Sequence, residues 1–303
     1  MKDVKEKRII ITGAGGFIGS QLVTKLLSLG YSNIVTIDRN LVNLKTLKNV
    51  RGLFSDEKVL QETLKKDDLV IHVACSSNPS ISEQNIKEDI EENIIGSVKL
   101  MQICVQKKID KFIYISSGGV VYGNCGAKKI KENDETSPIS FHGAMKLSVE
   151  NYLKVFSYLY GLKYVIIRPS NPYGRKSESK RKQGLIDIFL KKIKNEEKLE
   201  IWGDGEVVRD FIYIEDLVEL IIKTFDSEIK NEILNAGTGV GTSINNFLDL
   251  VRKLTKKSIK VKYFKKRNFD VSYNVLDVKK AEKMLNWKPN KNLKRNIEKI
   301  LQE

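Results

Sequence analysis

The sequence predicts an α/β protein, a doubly wound parallel sheet followed by a smaller C-terminal α/β cap, and three observations carry that prediction. Ile9, Ile10 and Ile11 form a β-branched apolar run that ends in Thr12-Gly13, as a strand buried on both faces should. Gly13, Gly16 and Gly19 then stand three apart and lead into Leu22, Val23, Leu26, Leu27 and Leu29, apolar at helical spacing until Gly30. Beyond them, apolar strands alternate with amphipathic helices, the pattern of parallel strands covered on both faces.

Strand, glycine turn and helix together cradle phosphate. Without side chains the turn lets the backbone approach a pyrophosphate, and the helix amino end offers N–H groups and the positive end of its dipole. A second strand, Ile34-Val35-Thr36-Ile37, ends in Asp38, roughly 20 residues past the glycines, where a carboxylate accepts hydrogen bonds from both hydroxyls of an adenosine ribose. This is the Rossmann-type arrangement. Asp38 repels a 2′-phosphate, so the expected cofactor is NAD rather than NADP, although the adjacent Arg39 pulls the other way.

Further elements follow in order. The pattern predicts a short helix over 41–48, a third strand over 50–54 and a helix over 57–66. A fourth strand over 69–73 is interrupted by His72, read as a packed or hydrogen-bonded structural residue. A long helix over 82–108 is apolar at Ile86, Ile90, Ile94, Ile95, Val98 and Met101, which suits a helix lying on a sheet. Residues 111–116 are the fifth strand, Pro138 opens a helix that runs to Tyr160, and 162–168 is the sixth strand. Ligands sit at the carboxyl edge of such a sheet, so the loops after its strands carry the candidates for chemistry. They are Ala74-Cys75-Ser76-Ser77, then Ser117-Gly118-Gly119 with Tyr122 beyond, and the turn at 168–174.

From there the pattern changes. Residues 175–183 are a basic loop, 185–194 a helix, and 199–208 a strand pair around Gly203-Asp204-Gly205. A helix over 215–225 and a strand over 231–235 return to the sheet, and 243–302 reads as helix, strand and two short helices. The expected domains are 1–170 with about 211–240 for the dinucleotide, and about 171–210 with 241–303 for the cap.

At 303 residues and 41% hydrophobic, with 5 prolines, the chain can bury a large core. Its charge is lopsided: 53 Lys and Arg against 38 Asp and Glu, a net +15. The lysines are scattered and dense only at 176–182 and 256–267, so most of the excess reads as a solvated surface, with a smaller share steering an anionic substrate, and not as a nucleic-acid footprint. Cys75, Cys104 and Cys125 form no paired or metal-ligand motif, which points to a reduced, cytoplasmic setting without a metal. The first eight residues are mostly charged and no apolar run approaches ~18 residues, so neither a secretory leader nor a membrane span is expected.

The motifs in order resemble the extended short-chain dehydrogenase/reductases, the epimerase/dehydratase group typified by UDP-glucose 4-epimerases. They are TGAGGFIG (12–19), HVA (72–74), ISSGGVVYG (115–123), RPSNPYG (168–174), IWGDGEVVRDFIYIEDL (201–217), NAGTG (235–239) and NWKP (286–289). The resemblance implies a nucleotide-diphosphate sugar held by the cap with its C4 hydroxyl facing the nicotinamide of NAD, in polysaccharide precursor synthesis. It implies dehydrogenation to a 4-keto sugar or epimerisation through it, with 4-keto-sugar reduction or a catalytically impaired NAD-binding homologue as alternatives. By this resemblance Gly13, Gly16, Phe17, Ile18 and Gly19 meet the pyrophosphate, Asp38 with Arg39 the adenosine ribose, and Ala74 the cofactor. Lys146 bonds the nicotinamide ribose, Asn171 and Arg209 hold the sugar-nucleotide diphosphate, and Tyr122 contacts substrate. Family members dimerise through two helices, for which 83–107 and 138–160 are the expected segments, giving a homodimer or larger homo-oligomer.

Departures from the family pattern bear on the chemistry. The family's Tyr-x-x-x-Lys is here His142-Gly143-Ala144-Met145-Lys146, whose spacing keeps both side chains on one helix face while changing the acid/base group. The family's Ser or Thr before VYG is Gly118, with Ser117 next door as the candidate replacement. Gly119 and Val120 stand where the 4,6-dehydratases carry an Asp-Glu pair, which argues against that activity, and Leu53 stands where an acid near the adenine is expected. Histidine titrates near 6.5 and Lys146 disfavours its charged form, so a neutral imidazole is a ready base for oxidation. Three readings stay open: His142 as the base, His142 as an inert substitution, and a proton acceptor elsewhere in Tyr122, Cys75 or a water.

Overall fold

The computed structural model describes residues 4–40, 47–77, 79–174, 184–267 and 270–302. In chain order it opens with β1 (Ile9–Thr12), α1 (Phe17–Ser28), β2 (Ile34–Asp38), β3 (Lys48–Arg51), α2 (Glu57–Thr63) and β4 (Leu69–His72). Then come α3 (Pro79–Gln84), α4 (Ile86–Asp89), a π-helical segment at Ile90–Ile95, α5 (Gly96–Lys107), β5 (Lys111–Ile115), β6 (Lys129–Ile130) and α6 (Phe141–Tyr160). Next are β7 (Tyr164–Pro169), β8 (Asn171–Tyr173), α7 (Leu185–Lys194), β9 (Leu199–Trp202), β10 (Val208–Tyr213), α8 (Ile214–Phe225) and β11 (Glu232–Ala236). The chain finishes with β12 (Gly241–Ser243), α9 (Ile244–Thr255), β13 (Val261–Phe264), β14 (Tyr273–Leu276), α10 (Lys279–Leu285) and α11 (Leu293–Gln302). Among the described residues no helix is long and apolar enough to cross a membrane.

Two compact units divide the chain. The first comprises Met1–Ser117, Ser140–Arg168 and Val218–Leu234, and its seven-stranded sheet runs β11-β7-β5-β4-β1-β2-β3. The strands paired with β1 are β2 and β4, both parallel, so the strand order reverses beside the glycine turn, where an open sheet of this kind takes its ligand. Ile9, Ile10 and Ile11 are buried on both faces of the sheet, as the continuous apolar run requires. On one face, Val70, Phe112 and Tyr114 form a cluster with Leu100 and Met101 of α5 and with Met145, Val149 and Leu153 of α6.

Helix α6 holds the register of that layer. Ser140 caps it by accepting from Gly143 N at 3.1 Å, and Gly161, at φ +70°, ends it in a left-handed turn. His142, Lys146 and Glu150, spaced by four, lie on its inner face. The fully buried Glu150 accepts from Arg168 Nε at 3.0 Å and Nη2 at 2.6 Å, and from the Ser116 hydroxyl at 2.5 Å. This bidentate pair ties the helix to β7 and to the end of β5.

The second unit comprises Gly118–Ile139, Pro169–Leu217 and Asn235–Glu303. Its five-stranded sheet runs β12-β10-β14-β6 with β8 beside β10, and a two-stranded sheet joins β13 to β9. Tyr173, Phe189, Phe211, Phe247 and Ile297 make its core. Gly118–Ile139 groups here because β6 pairs with β14 and because Asn274 Nδ2 donates to Gly118 O at 2.9 Å.

Several sequence expectations change. The third strand is Lys48–Arg51, earlier than 50–54, because an edge strand that is half exposed carries a weak apolar signal. Of the helix expected over 41–48, residues 41–46 lie outside the described residues, and so does the whole basic loop 175–183. The helix expected over 82–108 breaks into α3, α4, the π segment and α5. The strands expected to pair around Gly203-Asp204-Gly205 belong to different sheets: β9 runs parallel to β13, while β10 pairs with β8, β12 and β14.

Replacing Arg168 with Met leaves Glu150 as an unpaired buried charge, and urea unfolding should show a loss of about 3 to 5 kcal/mol. The double change Glu150→Leu with Arg168→Met should recover most of it. A single variant as stable as the parent would contradict the anchoring role of the pair.

Candidate functional site

The glycine turn closes on itself as a cofactor cradle requires. Gly13 has φ +77°, and a Cβ there would lie 2.6 Å from the Ala74 backbone; one on Gly19 would lie 2.2 Å from the Gly13 carbonyl. Gly16 is the N-cap of α1 and supplies no side-chain cap to its first turn, which carries Phe17, Ile18 and Gly19. Asp38 folds back over the turn, its Oδ2 accepting from Gly15 N at 3.0 Å and its Oδ1 from Asn40 N at 2.9 Å. Arg39 is turned to Glu92, at 2.6 Å, so the cation beside Asp38 already has an anionic partner. These residues fit a dinucleotide with an unphosphorylated ribose.

Beyond the turn, four polar residues of the first unit lie buried: His72, His142, Lys146 and Ser77. Lys146 is buried and its Nζ donates to the Ile115 carbonyl at 3.0 Å, 5.1 Å from the centre of the Tyr114 ring. His72 is enclosed between Thr12, whose hydroxyl lies 2.7 Å from Nδ1, and Ser97, 3.0 Å from Nε2, and it stacks on Tyr114. It is structural, as the sequence suggested. His142 is 9% exposed, and its Nδ1 lies 3.4 Å from the Ser77 hydroxyl. Burial, helped by the Lys146 charge, lowers the His142 pKa to about 4 against a smaller opposite pull from Asp89. Burial and Lys146 likewise lower His72 to about 3.

Ser117 makes no side-chain hydrogen bond among the described residues; the hydroxyl beside His142 belongs to Ser77, with Asp89 behind it. Sequence reasoning passed over both. Ser77 lay in a loop already named, but nothing in the sequence showed that it meets a residue 65 positions away.

In the second unit, β8 pairs with β10 so that Asn171 stands opposite Phe211, two residues past Arg209, and Asn171 Nδ2 donates to the Asp210 carbonyl at 3.0 Å. Arg209 donates to the Val208 carbonyl at 3.0 Å and makes no ion pair among the described residues. Burial lowers its pKa to about 10, offset in part by Asp270 and lowered further by Arg267, so the guanidinium stays charged at neutral pH. Asp210, its neighbour in sequence, accepts from Thr238 N and Oγ1, Gly239 N and Leu276 N. Arg267 and Asp270, whose charges act on Arg209, line a cavity of about 480 Å³ together with Asn124, Lys265, Lys266 and Ser272. Arg267 forks onto Asp270 and lies 4.6 Å over the Trp202 ring. Tyr122 corrects an expectation: it is 1% exposed and its hydroxyl donates to Asn235 Oδ1 at 2.7 Å, so it is built into the core of this unit and not offered to a substrate.

Comparison with known proteins agrees with this geometry. The model of the NAD dependent epimerase/dehydratase family matches residues 9–237. A dTDP-4-dehydro-6-deoxyglucose reductase of Escherichia coli is 30% identical over 311 residues, covering 99% of this chain and 98% of its own. The crystal structure of UDP-glucose 4-epimerase from Thermotoga maritima, with UDP-glucose, superposes with a TM-score of 0.91 at 32% identity over 97% of each chain. That of UDP-N-acetylglucosamine 4-epimerase from Methanobrevibacter ruminantium M1 gives 0.89 at 30% identity, covering 100% of this chain and 98% of its own.

Both histidines are held neutral in the folded chain and titrate near 6.5 when unfolded, so unfolding takes up protons below pH 6.5. Stability therefore falls as pH drops from 6.5 toward 4 for His142 and toward 3 for His72. Urea titrations at about pH 7 and 5 should differ by about 2 kcal/mol per histidine, and His142→Phe should remove its share. Equal stability at both pH values would contradict the buried neutral state.

Proposed function

The chain belongs to the NAD dependent epimerase/dehydratase family, and from that membership we propose that it oxidises the C4 hydroxyl of a nucleotide-activated sugar to a 4-keto sugar, or epimerises C4 through that ketone. The observation that carries this reading is the neutral imidazole of His142 on the α6 face that also carries Lys146. NAD, when bound, supplies the acceptor for the hydride that leaves C4.

His142 accepts the hydroxyl proton in this reading. Lys146, fixed by the Ile115 carbonyl, bonds the nicotinamide ribose in this reading, and burial together with the Lys146 charge keeps the imidazole unprotonated beforehand. The Gly13–Gly19 turn and Asp38 take the dinucleotide pyrophosphate and ribose. In the second unit, Asn171 and the charged Arg209 are suited to the sugar-nucleotide diphosphate, since a guanidinium fork matches phosphate oxygens. Lys265 and Lys266 add positive charge for an anionic ligand.

Direction follows from the same imidazole. With a pKa of about 4, about one His142 in a thousand carries a proton at pH 7, so the resting protein is poised to take a proton and not to give one. That favours oxidation over reduction of a keto sugar. A proton just captured can still be handed back within one turnover, which is the route to epimerisation.

Purified protein supplied with NAD and a panel of UDP, GDP and dTDP sugars should generate NADH absorbance with at least one of them. His142→Phe should slow that hydride transfer by about 10² to 10⁴ while the protein still binds NAD. An undiminished rate in His142→Phe would eliminate the imidazole as base. Absence of both NADH and thermal stabilisation with every sugar would leave a dinucleotide-binding protein, and preferential NADH consumption with a 4-keto sugar would identify a reductase.

A further inference from the structure

Resting on the reading just given, we propose that Ser77 and Asp89 are positioning residues of the reaction: they hold His142 with its proton on Nδ1, so that Nε2 presents its lone pair to the substrate hydroxyl.

The direction of each hydrogen bond around Ser77 leads there. A serine hydroxyl has one proton to donate and two lone pairs to fill. Ser77 Oγ lies 2.5 Å from Asp89 Oδ1, the separation of an O–H donated to a carboxylate, and 3.4 Å from His142 Nδ1. The Ser77 proton therefore belongs to Asp89. Ser82 Oγ donates to Ser77 Oγ at 3.1 Å and fills one lone pair. What remains toward His142 is an acceptor, which a protonated Nδ1 satisfies and a bare Nδ1 does not. The neutral ring then has its free lone pair on Nε2.

His72 shows the opposite choice made by the same logic. Ser97 Oγ gives its proton to the Asn93 carbonyl at 2.5 Å, so it accepts from His72 Nε2, and the Thr12 hydroxyl donates to Nδ1. The first unit thus fixes its two imidazoles in opposite tautomers.

Asp89 is held for this task. It is 5% exposed, and its carboxylate accepts from Ser77 and from Asn93 Nδ2, at 2.7 Å, with no Lys or Arg paired to it among the described residues. Asn93 also donates to Ser76 Oγ at 2.7 Å and accepts from Ser76 N at 3.0 Å, clamping the Ser76-Ser77 loop to the π segment that follows Asp89. A buried carboxylate without a cation is costly unless positive charge arrives. It arrives when His142 takes the substrate proton: the O–H bond breaks, the Nε2–H bond forms, and the imidazolium keeps its Nδ1–H on Ser77, while the C4 hydride would go to the acceptor that bound NAD supplies. Lys146 and Asp89 are the charged groups that act on His142, one resisting this charge and the other welcoming it.

The chain has two histidines, so ¹⁵N-histidine labelling and long-range ¹H–¹⁵N correlation read both tautomers directly. The expected spectrum shows His142 protonated at Nδ1 and His72 protonated at Nε2. In Ser77→Ala, His142 should lose its fixed tautomer, while Ser77→Thr should keep it. Hydride transfer to NAD should fall at least about tenfold in Ser77→Ala and in Asp89→Asn, with the KM for sugar and the NAD affinity within about threefold, and Ser77→Thr should restore it. His142 protonated at Nε2 in the parent protein, or a Ser77→Ala variant with unchanged tautomer and rate, would overturn the proposal. The tautomer is read without substrate, so a correct tautomer in a protein that oxidises no sugar would sink the proposed function and leave the positioning intact.

Discussion

The buried pair between Glu150 and Arg168, joined by the Ser116 hydroxyl, is the constraint on which the first unit's chemistry rests. It fixes one helix against one strand end. Because Lys146 and His142 lie one and two turns from Glu150 on the same face of α6, rotating or sliding that helix would move both together. A buried ion pair adds little net stability over an apolar pair of the same size, but it is satisfied in one register alone. Apolar neighbours such as Met145, Val149 and Leu153 supply the burial and tolerate small slips; the bidentate fork does not.

With the helix fixed, the same residue type takes two roles according to its surroundings. Both imidazoles are buried and neutral, and both are disfavoured as cations by Lys146. His72 is closed in by Thr12, Ser97 and Tyr114 and has no nitrogen left to use. His142 has a hydrogen-bond partner at one nitrogen, and behind that partner stands the Asp89 carboxylate. Environment, and not residue identity, separates a packing histidine from a candidate base. A phenol in this position would need its pKa pushed down several units to serve as a base near neutrality, whereas an imidazole begins near 6.5 and needs its basicity preserved against burial.

Features carried by continuous stretches were legible in the sequence. The triple isoleucine, the glycine turn and Asp38 lie within 30 residues of one another, and local sterics fix their geometry. Asn171 and Arg209 were singled out through motifs, and the strands that carry them pair. Contacts that depend on long-range packing were not. Nothing local distinguishes Ser77 from its neighbour Ser76, and Asp89 looked like one more acid on a polar helix face. The π segment after Asp89 was read as regular helix because its apolar residues keep nearly the same spacing. Tyr122 was misplaced for the same reason: an aromatic with a polar end suits a ligand or a core equally, and only the position of Asn235 decides. The apparent hairpin around Gly203 and Gly205 failed because β9 pairs with β13 and β10 with β8, β12 and β14, partners distant in sequence that the residues beside the turn do not reveal.

The central claim is that an imidazole, neutral down to about pH 4, takes the proton as hydride leaves the substrate carbon. Rapid mixing of NAD-loaded protein with an accepted nucleotide sugar, followed by NADH absorbance across pH, tests it most directly. The account predicts a hydride-transfer rate that is flat from about pH 5 to 8 and falls only toward pH 4. A rate that climbs steadily through about pH 7 to 10, as a phenol or another weaker acid would impose, would contradict it.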